Sequence, residues 1–446
     1  MLDTICAIAT SFGTSAISII RCSGPDAINY VNKVFKGKDL TKVKGYTIHH
    51  GYIMDNDDIV DEVLVNIYLK PNSYDGENGV EINCHGGIYV TNKVMDVLLK
   101  NGFRLATNGE FSKRAFLNGK MDLTKAEAVM DVISSSSDLS LKASLSSLRG
   151  KVSKLIQNLR DNLLDIIAKI EVNIDYPEYE DAPDVTHDYL YPILSNIKKE
   201  MEEILDNSKT STIVIHGIKT SIVGKPNVGK SSLLNMLLDE ERAIVTDIPG
   251  TTRDTVEGTL KFKNMTLNLI DTAGIRESDD IVEAIGIKRS QKAIDESDIC
   301  LLVLDPSRPL EDIDKELLKL TENKKRIIIS NKDDLEACFH FDDEIRISCK
   351  KKEGANLVLS KIEEVMKISS FNPDNDKYLC NIRQTDLLNK SYQSLCDAMN
   401  GLDLKNDISL IEIDMRQAFD YLGEIIGESS PDELVTALFT KFCLGK

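Results

Sequence analysis

Apolar and polar positions divide the chain into regions of different period. Up to about residue 118 the pattern is mixed α+β. Apolar runs at Ser15–Ile20 and Val63–Tyr68 predict strands, and the spacing in Pro25–Val34 and Gly87–Leu99 predicts helices. Between them, Pro71–Glu81 and then Ile82–Gly87 are dense in Gly, Asn and acidic residues. This stretch reads either as a functional loop or as a long turn. Asn108-Gly109-Glu110-Phe111 is a second polar island. From about Asp122 the period becomes helical. Ala126, Val129 and Ile133 start a stripe that Leu141, Leu145 and Leu148 continue, so the serine run Ser134–Ser137 is read as helix. Leu155, Leu159, Leu163, Ile166, Ile167 and Ile170 predict a second long helix, ending near Asp175-Tyr176-Pro177 where an acidic loop begins. Tyr189 to Leu205 predicts a third. Residues 216–371 then alternate between the two periods. Strands are expected at Ile218–Val223, Leu260–Phe262, Leu267–Ile270, Ile299–Leu304, Arg326–Ser330 and Ile345–Ile347, with helices between them, which is the signature of a doubly wound α/β sheet. The remainder is helical again, at Gln384–Met399, Ile408–Ile426 and Pro431–Phe442.

The economical architecture is multidomain. An α+β domain spans 1–118. An α/β domain at 216–371 is inserted into a helical domain built from 119–215 and 372–446, whose tail packs on residues 121–215. The 446 residues suffice for roughly three domains. A hydrophobic share of 42% supports sizeable cores and excludes a disordered chain. The net charge of −18 excludes a general nucleic-acid coat, though a local basic face is compatible with it. Nine scattered cysteines, without paired metal spacing, predict free thiols in a reducing cytosol. Cys84 and His85 are adjacent, a poor spacing for zinc. Met1-Leu2-Asp3-Thr4-Ile5 carries no basic leader, and no apolar run is long enough to span a bilayer, so a cytoplasmic location without membrane is expected.

The chemistry centres on Gly224-Lys225-Pro226-Asn227-Val228-Gly229-Lys230-Ser231, a complete phosphate-binding loop. A strand ending in Ile222–Val223 runs into it, and a helix with Leu233, Leu234, Leu237 and Leu238 leaves it. Gly224 and Gly229 let the backbone approach phosphates, and successive N–H groups with the helix dipole point at the anion. Lys230 is expected to reach the β- and γ-phosphates, and the Ser231 hydroxyl to ligate Mg²⁺. Asn227 reads either as a turn residue or as a ligand of a monovalent cation. Asp271-Thr272-Ala273-Gly274 ends a predicted strand, where a metal-directed carboxylate belongs. Asn331-Lys332-Asp333-Asp334 follows another. Asp334 can accept from guanine's N1–H and exocyclic amine, a pair adenine cannot offer, so the expected nucleotide is GTP and not ATP. Ser348-Cys349-Lys350 would back the base. Between loop and carboxylate lies Thr246-Asp247-Ile248-Pro249-Gly250-Thr251-Thr252-Arg253-Asp254, a switch segment with Thr252 as the expected second Mg²⁺ ligand. Ras-like enzymes place a water-positioning glutamine after the Asp-Thr-Ala-Gly motif; here it is Ile275, so another group must orient water.

These residues, with several outside the nucleotide domain, resemble the MnmE/TrmE tRNA modification GTPases over nearly the whole chain. The likeness rests on Ser73-Tyr74 with Gly76-Glu77, Cys84-His85-Gly86-Gly87, Gly109-Glu110-Phe111, Arg114-Ala115-Phe116-Leu117-Asn118-Gly119-Lys120, Ala126-Glu127-Ala128-Val129 and the terminal Phe442-Cys443-Leu444-Gly445-Lys446. The resemblance implies an N-terminal α+β domain that dimerises and binds 5-formyl- or methylene-tetrahydrofolate through Arg21, Glu81, Lys120 and Lys446. It implies an inserted Ras-like P-loop GTPase domain whose GTP contacts are Asn227, Val228, Gly229, Lys230, Ser231, Ser232, Thr246 to Thr252, Asp271, Thr272, Ala273, Gly274, Asn331, Lys332, Asp334, Ser348, Cys349 and Lys350. It further implies K⁺ on Asn227, Thr246, Ile248 and Thr251, Glu283 as the group that orients water, and an essential Cys443. Three positions depart from the family pattern: Asn108 stands for Pro, Gln384 for His and Cys349 for Ala. Cys443 has the spacing of a prenylation box, but Gly445 and Lys446 do not fit one.

The implied activity is that of the GTP-hydrolysing subunit of the enzyme that modifies the wobble uridine of tRNA at C5. It acts with an FAD-dependent partner subunit and leaves an aminomethyl or carboxymethylaminomethyl group. A regulatory GTPase acting on ribosomal RNA is the rival class; the lack of a basic RNA-binding appendage and the Cys443 tail speak against it. A stand-alone folate-dependent transferase is the third reading.

Overall fold

The computed structural model describes residues 3–175, 186–238, 256–270, 291–428, 431–442 and 444–446. They divide into two compact units, one of residues 1–130 with 423–446 and one of 131–422.

The first unit is a seven-stranded sheet with helices on one face. Its strands are β1 (Ile5–Ile8), β2 (Ile17–Ser23), β3 (Phe35–Lys36), β4 (Thr47–Asp55), β5 (Asp58–Tyr68), β6 (Gly79–His85) and β7 (Arg104–Leu105). They lie in the order β3-β4-β5-β6-β2-β1-β7, all antiparallel except for the β1–β7 pair. Two helices, α1 (Ala27–Val34) and α2 (Ile88–Lys100), cover the sheet. Val31, Val94 and Leu98 close a core with Ile20, Val65, Ile67 and Ile82. Side chains alternate across a strand, so Arg21, Leu64, Tyr68 and Glu81 stand on the opposite face. The Gly- and Asn-rich stretch is thus only partly loop, because Gly79–His85 is a central strand. Val80, Ile82 and Cys84 point into the core and the polar residues between them point out.

After α3 (Glu110–Leu117) comes α4 (Leu123–Ser134). The serine run does not continue it. Ser137 caps the next helix, α5 (Asp138–Leu148), by accepting from the Ser140 amide, and Ser135 turns its hydroxyl back to the Asp131 carbonyl. Serine side chains compete for backbone partners in this way, which ends helices rather than extending them.

The second unit holds α5, α6 (Lys151–Asp175) and α7 (His187–His216), the last running well past the expected Leu205. At Gly217 the chain enters a second sheet through β8 (Ile218–Val223), followed by α8 (Lys230–Leu238), β9 (Val256–Phe262), β10 (Met265–Ile270), β11 (Ile299–Leu304), α9 (Asp312–Leu320), β12 (Arg326–Ser330), β13 (Glu344–Arg346) and α10 (Ala355–Val365). The order β13-β12-β11-β8-β10-β9 is parallel apart from the edge pair β9–β10. The chain returns to α7 at Leu379, whose amide donates to the Ser208 hydroxyl oxygen at 2.8 Å. It continues as α11 (Ile382–Asp403), packed along α7, and α12 (Ile408–Ile426). The end of the chain packs on residues just past Met121, as expected, but these too fall in the first unit, not in a separate helical one. Residues from Gly423 belong with the first unit, where Phe439 of α13 (Asp432–Phe439) and Phe442 pack on Leu123, Ala126 and Phe116.

Candidate functional site

The loop Gly224–Ser231 joins the end of β8 to the start of α8. Its geometry depends on two glycines. A Cβ on Gly224 would lie 2.4 Å from the Val303 carbonyl oxygen. Gly229 has φ +103°, and a Cβ there would lie 2.1 Å from Asn331 Nδ2. Asn227, at φ +63°, occupies the left-handed region that Asn tolerates best among non-glycine residues. Lys230 folds its ammonium back over the loop and donates to the Gly224 and Lys225 carbonyls at 2.9 and 2.8 Å. Burial pulls its pKa below the ordinary lysine value. Ser231 and Ser232 open the first turn of α8, so their backbone lies at the positive end of the helix.

The Asn331–Asp334 loop leaves β12 beside this one. Asn331 donates from Nδ2 to the Val228 carbonyl at 2.9 Å and accepts from the Cys349 amide at 3.1 Å. One buried amide thereby joins the phosphate loop, its own loop and the Ser348–Lys350 loop. Asp334 accepts the Ser348 hydroxyl at 2.8 Å, which holds its carboxyl below the usual carboxylate range; Lys350 stands 4.0 Å away. Burial pushes the Cys349 thiol up to about 11. Lys332 turns away from this edge to Asp305, 2.5 Å from its carboxylate. The arrangement joins a ring of backbone donors and a lysine to an ionised aspartate that can select a donor pair. Thr246, Asp247, Ile248, Pro249, Gly250, Thr251, Thr252, Asp271, Thr272, Ala273, Gly274, Glu283 and Cys443 lie outside the described residues.

A second site stands in the first unit. A cavity of about 180 Å³ is lined by residues including Arg21, Ser23, Tyr68, Tyr74, Asp75, Glu81 and Phe111. Arg21 and Glu81 face each other across the β2–β6 pair. Arg21 Nε donates to Glu81 Oε1 at 3.0 Å, and Tyr68 donates to Glu81 Oε2 at 3.0 Å. Burial and the neighbouring Glu81 raise the Tyr68 phenol above its ordinary value. The guanidinium carbon of Arg21 lies 5.1 Å from the centre of the Tyr74 ring. The chain's end approaches the same residues. Arg21 Nη1 donates to the Gly445 carbonyl at 3.0 Å, and the Phe111 amide to the Lys446 carbonyl at 3.2 Å. Lys120 is not among the lining residues; its ammonium donates to the Pro71 carbonyl at 2.9 Å. Sequence reasoning assigned no role to Tyr68, Asp75 or Phe111. Their only signal was an aromatic or acidic residue beside a glycine-rich motif, and it took the strand register to bring them together.

Cys84 and His85 have ordinary partners, the Ser18 carbonyl and Asp61. Among the described residues, no cluster of His, Cys, Asp and Glu could hold a metal, and no helix is long and apolar enough to cross a membrane.

Comparison with known families matches residues 123–443 to the MnmE helical domain and residues 4–120 to the N-terminus of the GTP-binding protein TrmE. The tRNA modification GTPase MnmE of Acholeplasma laidlawii (strain PG-8A) is 47% identical over 445 residues, covering 100% of this chain and 99% of its own. Its counterpart in Ligilactobacillus salivarius (strain UCC118) is 48% identical over 455 residues, covering 100% and 98%. Among solved structures, the G domain of the T. maritima FeoB iron transporter is 28% identical over 34% of this chain and 99% of its own, with a TM-score of 0.25.

Proposed function

The chain belongs to the MnmE family of tRNA modification GTPases, and from that membership we propose that it acts at C5 of a wobble uridine, using a tetrahydrofolate as one-carbon donor and an FAD-dependent partner subunit. The product is an aminomethyl or carboxymethylaminomethyl uridine. The observation that carries this reading is the Arg21–Glu81–Tyr68 cavity with the chain's end against it. A hydrolase acting on GTP alone has no use for such a site. Glu81 can accept N–H bonds from a pterin, Arg21 can meet a carbonyl or carboxylate, and the Tyr74 ring gives a flat heterocycle a face to lie on. Lys120 and Lys446 complete the proposed folate set. Bound there, the folate would supply the one-carbon unit. The proposal is tested by nucleoside mass spectrometry of tRNA from cells lacking this protein. The modified wobble uridine is expected to vanish and to return with the wild-type gene; unchanged nucleosides would sink it.

In the GTPase half, Lys230 exchanges its two carbonyl acceptors for β- and γ-phosphate oxygens, and Asp334 holds guanine. Mg²⁺ on Ser231 and Thr252, with K⁺ on Asn227, Thr246, Ile248 and Thr251, would supply the remaining positive charge at the phosphates, and the left-handed Asn227 in the loop fits such a role. Glu283 orients the attacking water. The outward sheet face, where Ile17, Ile48 and Leu64 are 58%, 66% and 47% exposed, supports a homodimer through the first unit. A cytoplasmic location accords with the free cysteines.

Two measurements probe the nucleotide assignments. Asp334→Ala is expected to weaken GTP by about 1.5–3 kcal/mol, the range for charged hydrogen bonds. An unchanged preference for GTP over ATP in that variant would remove Asp334 from the base site. Turnover is also expected to be much faster in KCl than in NaCl, because the proposed cation lies where charge develops. Equal rates in the two salts would exclude that cation site.

A further inference from the structure

Behind the two nucleotide loops runs a line of charges that no nucleotide contact requires. It starts in the phosphate loop itself. The Lys225 side chain is 7% exposed and points away from the phosphates, toward the start of α9. A buried ammonium needs partners, and here it has two carboxylates. It is bonded to Glu311, and Asp314 Oδ2 lies 3.8 Å away. Both also cap α9, the Glu311 amide donating to Asp314 Oδ2 at 3.1 Å, so the lysine is seated on a fixed helix end.

One lysine leaves an excess negative charge. Arg308 meets it, with Nη1 3.8 Å from Glu311 Oε1. On its other side, Arg308 Nε is 3.8 Å from Asp305 Oδ2. Asp305, 4% exposed, is the residue that holds Lys332 at 2.5 Å. Three cations and three carboxylates therefore balance along a path from one nucleotide loop to the other. The Lys225 bond also pulls the Glu311 carboxyl below its ordinary value, and at Asp305 the bonds from Lys332 and Ser307 outweigh burial to do the same.

We infer that Lys225, Glu311, Arg308, Asp305 and Lys332 form one charge chain that sets the spacing between the phosphate loop and the guanine loop, with Glu311 and Arg308 as positioning residues for GTP. This rests on the reading that Gly224–Ser231 and Asn331–Asp334 hold the nucleotide. Nearest neighbours in the chain fix each other, and the two ends carry the backbones that the phosphates and the base meet. The Asn331–Val228 bond spans the same gap at one point. The charge chain supports it from behind.

Glu311 and Arg308 are the half-exposed members, so their substitution leaves the buried ones folded. Glu311→Gln and Arg308→Met, singly and together in the full chain, are compared with wild type. The readouts are the Kd for a fluorescent GDP, KM and kcat for GTP, and the melting temperature. Each single variant is expected to raise Kd and KM about three- to tenfold, with kcat at saturating GTP within about twofold. The double variant is expected to be no weaker than the weaker single one, because both break the same chain. Arg308→Lys, which keeps the charge, restores at least half of the loss. The inference is overturned if Kd stays within twofold of wild type, if the two effects multiply as independent sites do, or if kcat falls with KM unchanged. A Lys230→Ala control separates the two levels. If that variant still binds nucleotide normally, the nucleotide reading itself is wrong. If it loses nucleotide while Glu311→Gln does not, only the charge chain fails.

Discussion

Lys230→Ala is expected to lower GTP turnover by about two to three orders of magnitude, the loss seen when one preorganised donor is removed from developing charge. The loss should fall on the chemical step as well as on nucleotide binding, because the same ammonium meets the phosphates in both states. The ammonium is bonded to the Gly224 and Lys225 carbonyls of its own loop. Both bonds lie within the site, so moving to a phosphate needs no new desolvation of the lysine. What alanine removes is a positive charge in a partly buried place, where it acts more strongly than in water. Arginine is a poor substitute, because a planar fork cannot sit between two carbonyls where a compact ammonium does. Phosphate release at saturating GTP, with melting as a check on folding, measures the effect. Turnover within tenfold of wild type would mean that Lys230 is not the phosphate lysine.

The nucleotide half was legible because its signals are local. Gly224 and Gly229 are read at fixed spacing, and the strand before them and helix after them follow from a dozen neighbouring residues. The Arg21–Glu81 cavity is different. Arg21 and Glu81 are 60 residues apart and meet only through the β2–β6 register, which no spacing rule contains. The strand carrying Glu81 was obscured by its composition. Glycine, asparagine and histidine at the outward positions of β6 read as loop, although Val80, Ile82 and Cys84 alternate with them at the strand period. At Ser134–Ser137 the error was the opposite. The apolar stripe resumed in phase after the serines, and periodicity alone could not register that Ser137 restarts the helix as a cap. The Lys225 to Lys332 charge chain joins the two loop lysines to Asp305, Arg308 and Glu311, a cluster about 80 residues after one and about 20 before the other, and only the packing of α9 against the loop shows it.

The second large effect is expected at Glu81. Its two carboxylate oxygens are divided between Arg21 and Tyr68, both of them donors. Glu81→Gln keeps the size of the side chain and replaces one acceptor by an N–H₂ group, which must then face a donor. Ordinary carboxylate bonds to charged partners contribute about 1.5–3 kcal/mol, so losing the charge and turning one acceptor into a donor should weaken tetrahydrofolate by near a hundredfold. Arg21 would also be freed from its strand partner while still bonded to the Gly445 carbonyl, so the chain's end should loosen from the cavity as well. Titration of the full chain with 5-formyl-tetrahydrofolate measures the first effect. Nucleoside mass spectrometry of tRNA from cells rescued with this variant measures the consequence, which is expected to be loss of the modified wobble uridine. GTP turnover followed in the same preparation separates loss of folate from loss of fold, because the nucleotide loops belong to the other compact unit. Lost folate with retained turnover is the expected pair. A folate affinity within about threefold of wild type would remove Glu81 from the site, and the cavity would then need a different ligand.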